Sequence, residues 1–122
     1  LSASAAVAVS LDVLTGRAYR PALEVARWEA TLALPFPAAA VAVPPAITVD
    51  AEGAALLGAV APAEHLELTG VFAACREAGV PVAAVLAVAN TVGPAAHEQW
   101  RANHARASRR LLEALAPVLA TP

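Results

Sequence analysis

The stretch from Val82 to Val88, Val-Ala-Ala-Val-Leu-Ala-Val, constrains the fold of this 122-residue chain more than any other. It contains no polar residue, so it offers no face suited to water. Continuous rather than alternating apolarity predicts a strand covered on both faces, as in a parallel sheet. Asn90-Thr-Val-Gly-Pro94 follows as a loop, and Pro94 suits the first turn of a helix. That helix is expected from Ala95 to about Leu115. Trp100, His104, Ala107, Leu111, Ala114 and Leu115 form its expected inward stripe, Arg101, Arg109 and Glu113 face out, and Pro117 limits its end. Upstream, Leu66 to Ala78 reads as another helix. Leu68, Val71, Phe72 and Cys75 share one side of it, and Gly79 stands at its stop. Helix, buried strand, loop, helix is an α/β pattern.

The first half of the chain is read more coarsely. Ala6 to Leu11 is a short apolar strand, Thr15-Gly16-Arg17 a turn, and Arg20-Pro21 begins a surface segment that holds Trp28. Pro35 to Pro45 is extended, with Ala40 to Val43 as a buried strand and Ala46 to Val49 continuing extended. Asp50 is expected to cap a helix over Ala51 to Leu57 that ends near Gly58. There is no internal repeat and no linker, so residues 1–122 read as a single domain.

Composition narrows the function classes. With 59% hydrophobic and 15% charged residues the chain has ample apolar surface to bury, which excludes disorder. Aromatics are only 4%, so each buried side chain removes little area from water, and a partner covering one face is expected. A net charge of −2 creates no general field for nucleic acid or an anionic membrane. The weakly charged stretch from Ala30 to Val49 is interrupted by Pro35, Pro37, Pro44 and Pro45, so no membrane span is expected there. Leu1 to Leu14 lacks a basic n-region and runs into Asp12; it does not read as a signal peptide, and a cytoplasmic setting is the default. The single cysteine, Cys75, rules out an intrachain disulfide and a Cys-rich metal site, and is expected to be an inert core thiol.

Two residues stand where chemistry is expected. Asn90 follows the most apolar strand, and in open α/β sheets ligands bind beyond the carboxyl ends of strands. Its amide can donate and accept at a heterocycle edge, or it can simply satisfy backbone in a loop. Glu67 stands between two leucines at the entry to a helix. Buried, its carboxylate would need donors, which a pair of ribose hydroxyls would supply; exposed, it is an ordinary N-terminal glutamate favoured by the helix dipole. Other constellations fail. His97-Glu98 opens like a zinc-protease helix, but Arg101 occupies the place of the second histidine. His97 and His104 lack a third metal ligand. No Gly-x-Ser-x-Gly elbow or Gly-x-Gly phosphate loop is present. Arg101, Arg106, Arg109 and Arg110 fan around the helix as a solvated face, not a nucleic-acid patch.

Taken together, His65-Leu-Glu-Leu-Thr-Gly70, Gly79-Val-Pro81 and Val85-Leu-Ala-Val-Ala-Asn90 resemble the C-terminal half of the purine nucleoside phosphorylase and nucleosidase superfamily. Asn90-Thr-Val-Gly-Pro-Ala-Ala-His-Glu-Gln-Trp100 is similar to the Asn-x-Val-Gly-Pro run of its futalosine-hydrolase-like branch, and Val43-Pro-Pro-Ala-Ile47 to the segment lining the base pocket. The resemblance spans about Val41 to the end. It implies a three-layer αβα fold with a mixed central sheet, of which this chain would be the C-terminal half. It implies further that Glu67 binds ribose hydroxyls, that Asn90 is the base-recognising catalytic residue, and that Leu66, Ala46 and Ile47 line the substrate. Leu66 stands where the family has methionine and Ala89 where it has serine. Asn90 cannot act as a carboxylic acid, which suits hydrogen bonding to a 6-oxopurine.

The implied activity is cleavage of the N-glycosidic bond of a purine nucleoside or futalosine, with phosphate or water as nucleophile and neither cofactor nor metal. The alternative is a non-catalytic pseudoenzyme, or a partner subunit of a nucleoside phosphorylase-like complex. The family's phosphate loop, basic phosphate ligands and water-activating acid have no counterpart in this sequence. A homo-oligomer, or a second chain supplying the missing half, is therefore expected.

Overall fold

The computed structural model describes residues 1–22 and 25–120. Five strands form one mixed sheet: β1 (Ser2–Ala8), β2 (Arg27–Glu29), β3 (Ala38–Val43), β4 (Ala63–Glu64) and β5 (Ala84–Val85). Four helices accompany them: α1 (Leu11–Leu14), α2 (Ala51–Val60), α3 (Leu68–Glu77) and α4 (Ala96–Leu119). The coarse expectation of an α/β fold with a mixed sheet is met.

β1, β3 and β4 run parallel, and α2 is the crossover from β3 to β4. Successive strand residues point to opposite faces, and β3 divides its side chains accordingly. Val41 and Val43 pack with Leu68 and Phe72 of α3, whereas Ala42 packs with Leu57 of α2 and with Val9 and Ala61. Helices therefore cover both faces. Alanines at zero exposure in β1 and β3 bring the layers close, so Phe72, at 1% exposure, supplies much of the buried bulk. The register of β1 on β3 shifts between Ala3 and Ala5, leaving Ser4 without an opposite residue. This bulge lets Ala3 and Ala6, three apart, face the same cluster.

The expected Val82–Val88 strand is corrected. β5 spans only Ala84–Val85 and pairs antiparallel with β1; Val82 is buried, Ala83 to Ala87 are half-buried, and Val88 is 71% exposed. The reason lies in the ladder of β1. β3 occupies one edge, and β2 takes Ala5, Ala6 and Val7 on the other. Ala30 N–H donates to the Ser4 carbonyl at 2.9 Å, leaving only Ser2 and Ala3 for β5. The run is instead tethered at its ends. Thr31 Oγ1 accepts from Val82 N–H at 2.6 Å, and Leu86 N–H donates to Leu1 O at 2.8 Å.

Other boundaries also shift. The first strand spans Ser2–Ala8, and Leu11 already belongs to α1. The surface segment expected from Arg20 includes Leu23 and Glu24, which lie outside the described residues; its Trp28 falls in β2. Asp50 caps α2 as expected, its Oδ1 accepting from Gly53 N–H at 2.7 Å, but the helix runs through Gly58 to Val60. Gly58 does not adopt a positive φ, so it offers no left-handed stop. Gly79 does, at φ 65°, and closes α3 by donating to Arg76 O at 3.1 Å. α4 begins at Ala96 and passes Pro117 to end at Leu119.

The inward stripe of α4 is corrected too. Ala107, Leu111 and Leu115 are half-buried, but Trp100, His104 and Ala114 are exposed, and Gln99, Asn103 and Val118 complete the half-buried line. Two polar tethers set this rotation. Gln99 Oε1 accepts from Thr91 N–H at 2.8 Å, and Asn103 Nδ2 donates to Ala89 O at 3.0 Å. Trp100 is left outside, stacked between His97 and His104 with ring centroids 6.2 and 4.5 Å away.

Candidate functional site

Three parallel strands place their carboxyl ends at one side of the sheet. From β3 the chain continues through Pro44 to Val49, and from β4 it continues through His65 and Leu66 to Glu67. A hydrogen bond joins the two exits: Thr48 N–H donates to Glu64 Oε1 at 3.2 Å. The loop holding Ala46 and Ile47 is thereby tied to the segment holding Leu66 and Glu67. Ala46 and Ile47 are exposed, Ile47 at 64%, and Leu66 is half-buried.

Glu67 occupies the N-cap position of α3 with helical backbone angles and makes no side-chain capping bond. Its side chain is 70% exposed, and the Oε2 atom lies 3.0 Å from His65 Nδ1. The same Nδ1 lies 3.2 Å from Glu67 N. A neutral imidazole with a free Nδ1 lone pair accepts from that N–H; a ring protonated at Nδ1 donates to the carboxylate instead. One nitrogen cannot do both; in the tautomer that accepts from the Glu67 N–H, both carboxylate oxygens are free to accept from a ligand's hydroxyl groups.

Sequence reasoning missed Thr48 and Glu64. Thr48 is 2% exposed, and its Oγ1 and Glu64 Oε2 are buried without a hydrogen-bond partner among the described residues. The signal was faint: a threonine in an apolar extended stretch, and a glutamate beside the more conspicuous His65-Leu-Glu67 run.

Asn90 is half-buried, and its Nδ2 donates to Thr91 O at 3.2 Å. The strand before Asn90 does not run beside the one that leads to Glu67. β5 is antiparallel to β1 and hence to β4, and lies across β1 and β3 from it. It leaves the sheet where β1 begins, opposite the end from which Glu67 emerges. Neither residue lines either of two cavities among the described residues. One, of about 150 Å³, lies between α1 and the start of α2 and includes Asp50 and Glu52. The other runs along α4. Cys75 is half-buried against the Phe72 cluster, in keeping with a core thiol. Among the described residues no group of three or more His, Cys, Asp and Glu side chains is placed to hold a metal, and no helix is long and apolar enough to cross a membrane. Comparison with protein-family models, curated proteins and solved structures finds no match.

Proposed function

We propose that this chain is a nucleoside phosphorylase- or nucleosidase-like protein that supplies ribose- and base-binding groups for cleavage of the N-glycosidic bond of a purine nucleoside or futalosine. The observation that carries the reading is the position of Glu67. It is an exposed carboxylate just beyond the carboxyl end of a parallel strand, tied through Glu64 and Thr48 to the Ala46–Ile47 loop. Ligands of open α/β sheets bind at such strand ends. A carboxylate there accepts two ribose hydroxyls and favours the positive charge that develops on the sugar as the base departs. Leu66, Ala46 and Ile47 flank it; the family resemblance of its loop assigns Asn90 to the base, and that loop returns from the β5 exit toward the head of α2, where Gly93 approaches Asp50 and Ala54. The nucleophile, phosphate or water, is positioned by groups outside this chain.

The exit of β5 at the opposite end of the sheet from Glu67 favours a second reading, a non-catalytic nucleoside binder or partner subunit. Calorimetry with a panel of purine nucleosides and futalosine, followed by assay for released base, separates the two. The first reading expects binding and, with a partner chain supplied, free base; binding without base release under those conditions selects the second. Glu67→Gln removes charge-assisted hydrogen bonds and is expected to weaken binding by about 1.5–3 kcal/mol. Asn90→Asp is expected to alter base preference more than ribose affinity. If nucleosides do not bind, or bind indifferently to both substitutions, this site is not the one.

A further inference from the structure

We infer that the groove along α4 is a docking surface for a second copy of this chain. The groove has a volume of about 390 Å³ and lies between α4, the Val85–Ala89 segment and the start of β1. Leu1, Phe36, Leu86, Val88 and Leu111 give it an apolar lining, and Arg106 and Arg110 stand along it with no aspartate or glutamate among the lining residues. Arg110 has no ion pair or hydrogen bond among the described residues, and Arg106 Nη2 donates only to Asn103 Oδ1 at 2.7 Å. Asn103 is itself tethered to Ala89 O, so the first guanidinium is held in place beside the groove.

Two observations bear on the occupant: area shows that there is room for one, and charge says which. The first is area. The chain exposes 7738 Å², against about 6,100 Å² for a compact monomer of its mass. That excess is roughly twice the ~800 Å² each partner contributes to a standard interface. α4 is largely uncovered: among its described residues only Ala96 is buried, and Leu112 and Leu119 are 68% and 78% exposed. The second is charge. α4 carries Arg101, Arg106, Arg109 and Arg110 against Glu98 and Glu113, a surplus of +2, while the whole chain is −2, so the remainder carries −4. Asp50 and Glu52 are exposed on that remainder and form no ion pair among the described residues. A second copy thus offers the acidic surface that the basic groove lacks. Opposite potentials meeting in this way steer association and make it salt-dependent.

Sedimentation of the purified chain tests this independently of any nucleoside. A dimer at micromolar concentration in low salt is expected, weakening as salt is raised. Arg106→Glu with Arg110→Glu is expected to raise the dissociation constant at least about tenfold, the effect of losing a single charge-assisted contact. Arg101→Glu with Arg109→Glu makes the same charge change outside the groove lining and is expected to leave association largely unchanged; far-UV circular dichroism verifies that each variant folds. A folded wild-type monomer at tens of micromolar in low salt overturns the inference. So does a dimer indifferent to the groove double reversal, or one weakened equally by Arg101→Glu with Arg109→Glu.

Discussion

Thr48 and Glu64 illustrate how little of a residue's role its type reveals. Thr48 Oγ1 is buried without a partner among the described residues, and an unsatisfied buried hydroxyl is destabilising. Thr48→Val keeps the shape and removes the orphan atom, so thermal unfolding should show a gain of about 1 kcal/mol. A fall in melting temperature would mean that the hydroxyl is satisfied after all. Asp50 makes a contrasting case, because its carboxylate accepts the Gly53 N–H at the head of α2. Asp50→Ala is expected to cost about 1 kcal/mol, read as a lower denaturant midpoint at constant slope. The cap was legible because it depends on neighbours three residues apart. The Thr48–Glu64 bond was not, since it joins residues on different strands that only the sheet brings together.

At the scale of elements, α2 shows propensity yielding to packing. Gly53 lies inside the helix, where alanine is intrinsically better by about 1 kcal/mol. A Cβ there, however, would come within 2.9 Å of Thr48 Cγ2 and 3.0 Å of Leu11 Cδ1. Gly53→Ala is therefore expected to be net destabilising despite its helix propensity, which thermal unfolding can check. Gly58→Ala meets nothing within 4 Å and should stabilise by about that increment. β3, the capped start of α2 and the glycine stop of α3 were legible from local chemistry. β5 was not. An apolar run specifies burial, but how many of its residues enter a ladder depends on which strand claims the neighbouring edge, and here β2 claims most of it. The rotation of α4 was misjudged for a related reason: Gln99 and Asn103 are anchored to the preceding loop, and that overrides the pull of Trp100 toward the interior.

For the molecule as a whole, an alanine-rich sheet between thin helical layers leaves a large surface for its mass. If a second copy covers part of that surface, stability is linked to concentration by mass action. The melting temperature should rise with chain concentration between micromolar and hundreds of micromolar, and the Arg106→Glu, Arg110→Glu double variant should lose that dependence. A concentration-independent transition in the wild type would argue for a self-sufficient monomer.

The sequence by itself determined the α/β class, the β3 strand, the Asp50 cap, the Gly79 stop and the position of Glu67 at a helix entry, because each follows from local periodicity or short-range backbone chemistry. The tertiary structure alone decided the antiparallel placement of β5, the exposed face of α4 and the joining of the β3 and β4 exits through Thr48 and Glu64. Those features arise from competition for one strand edge and from hydrogen bonds between elements distant in sequence. Local chemistry specifies what each segment prefers; the fold decides which segments obtain the partners they prefer.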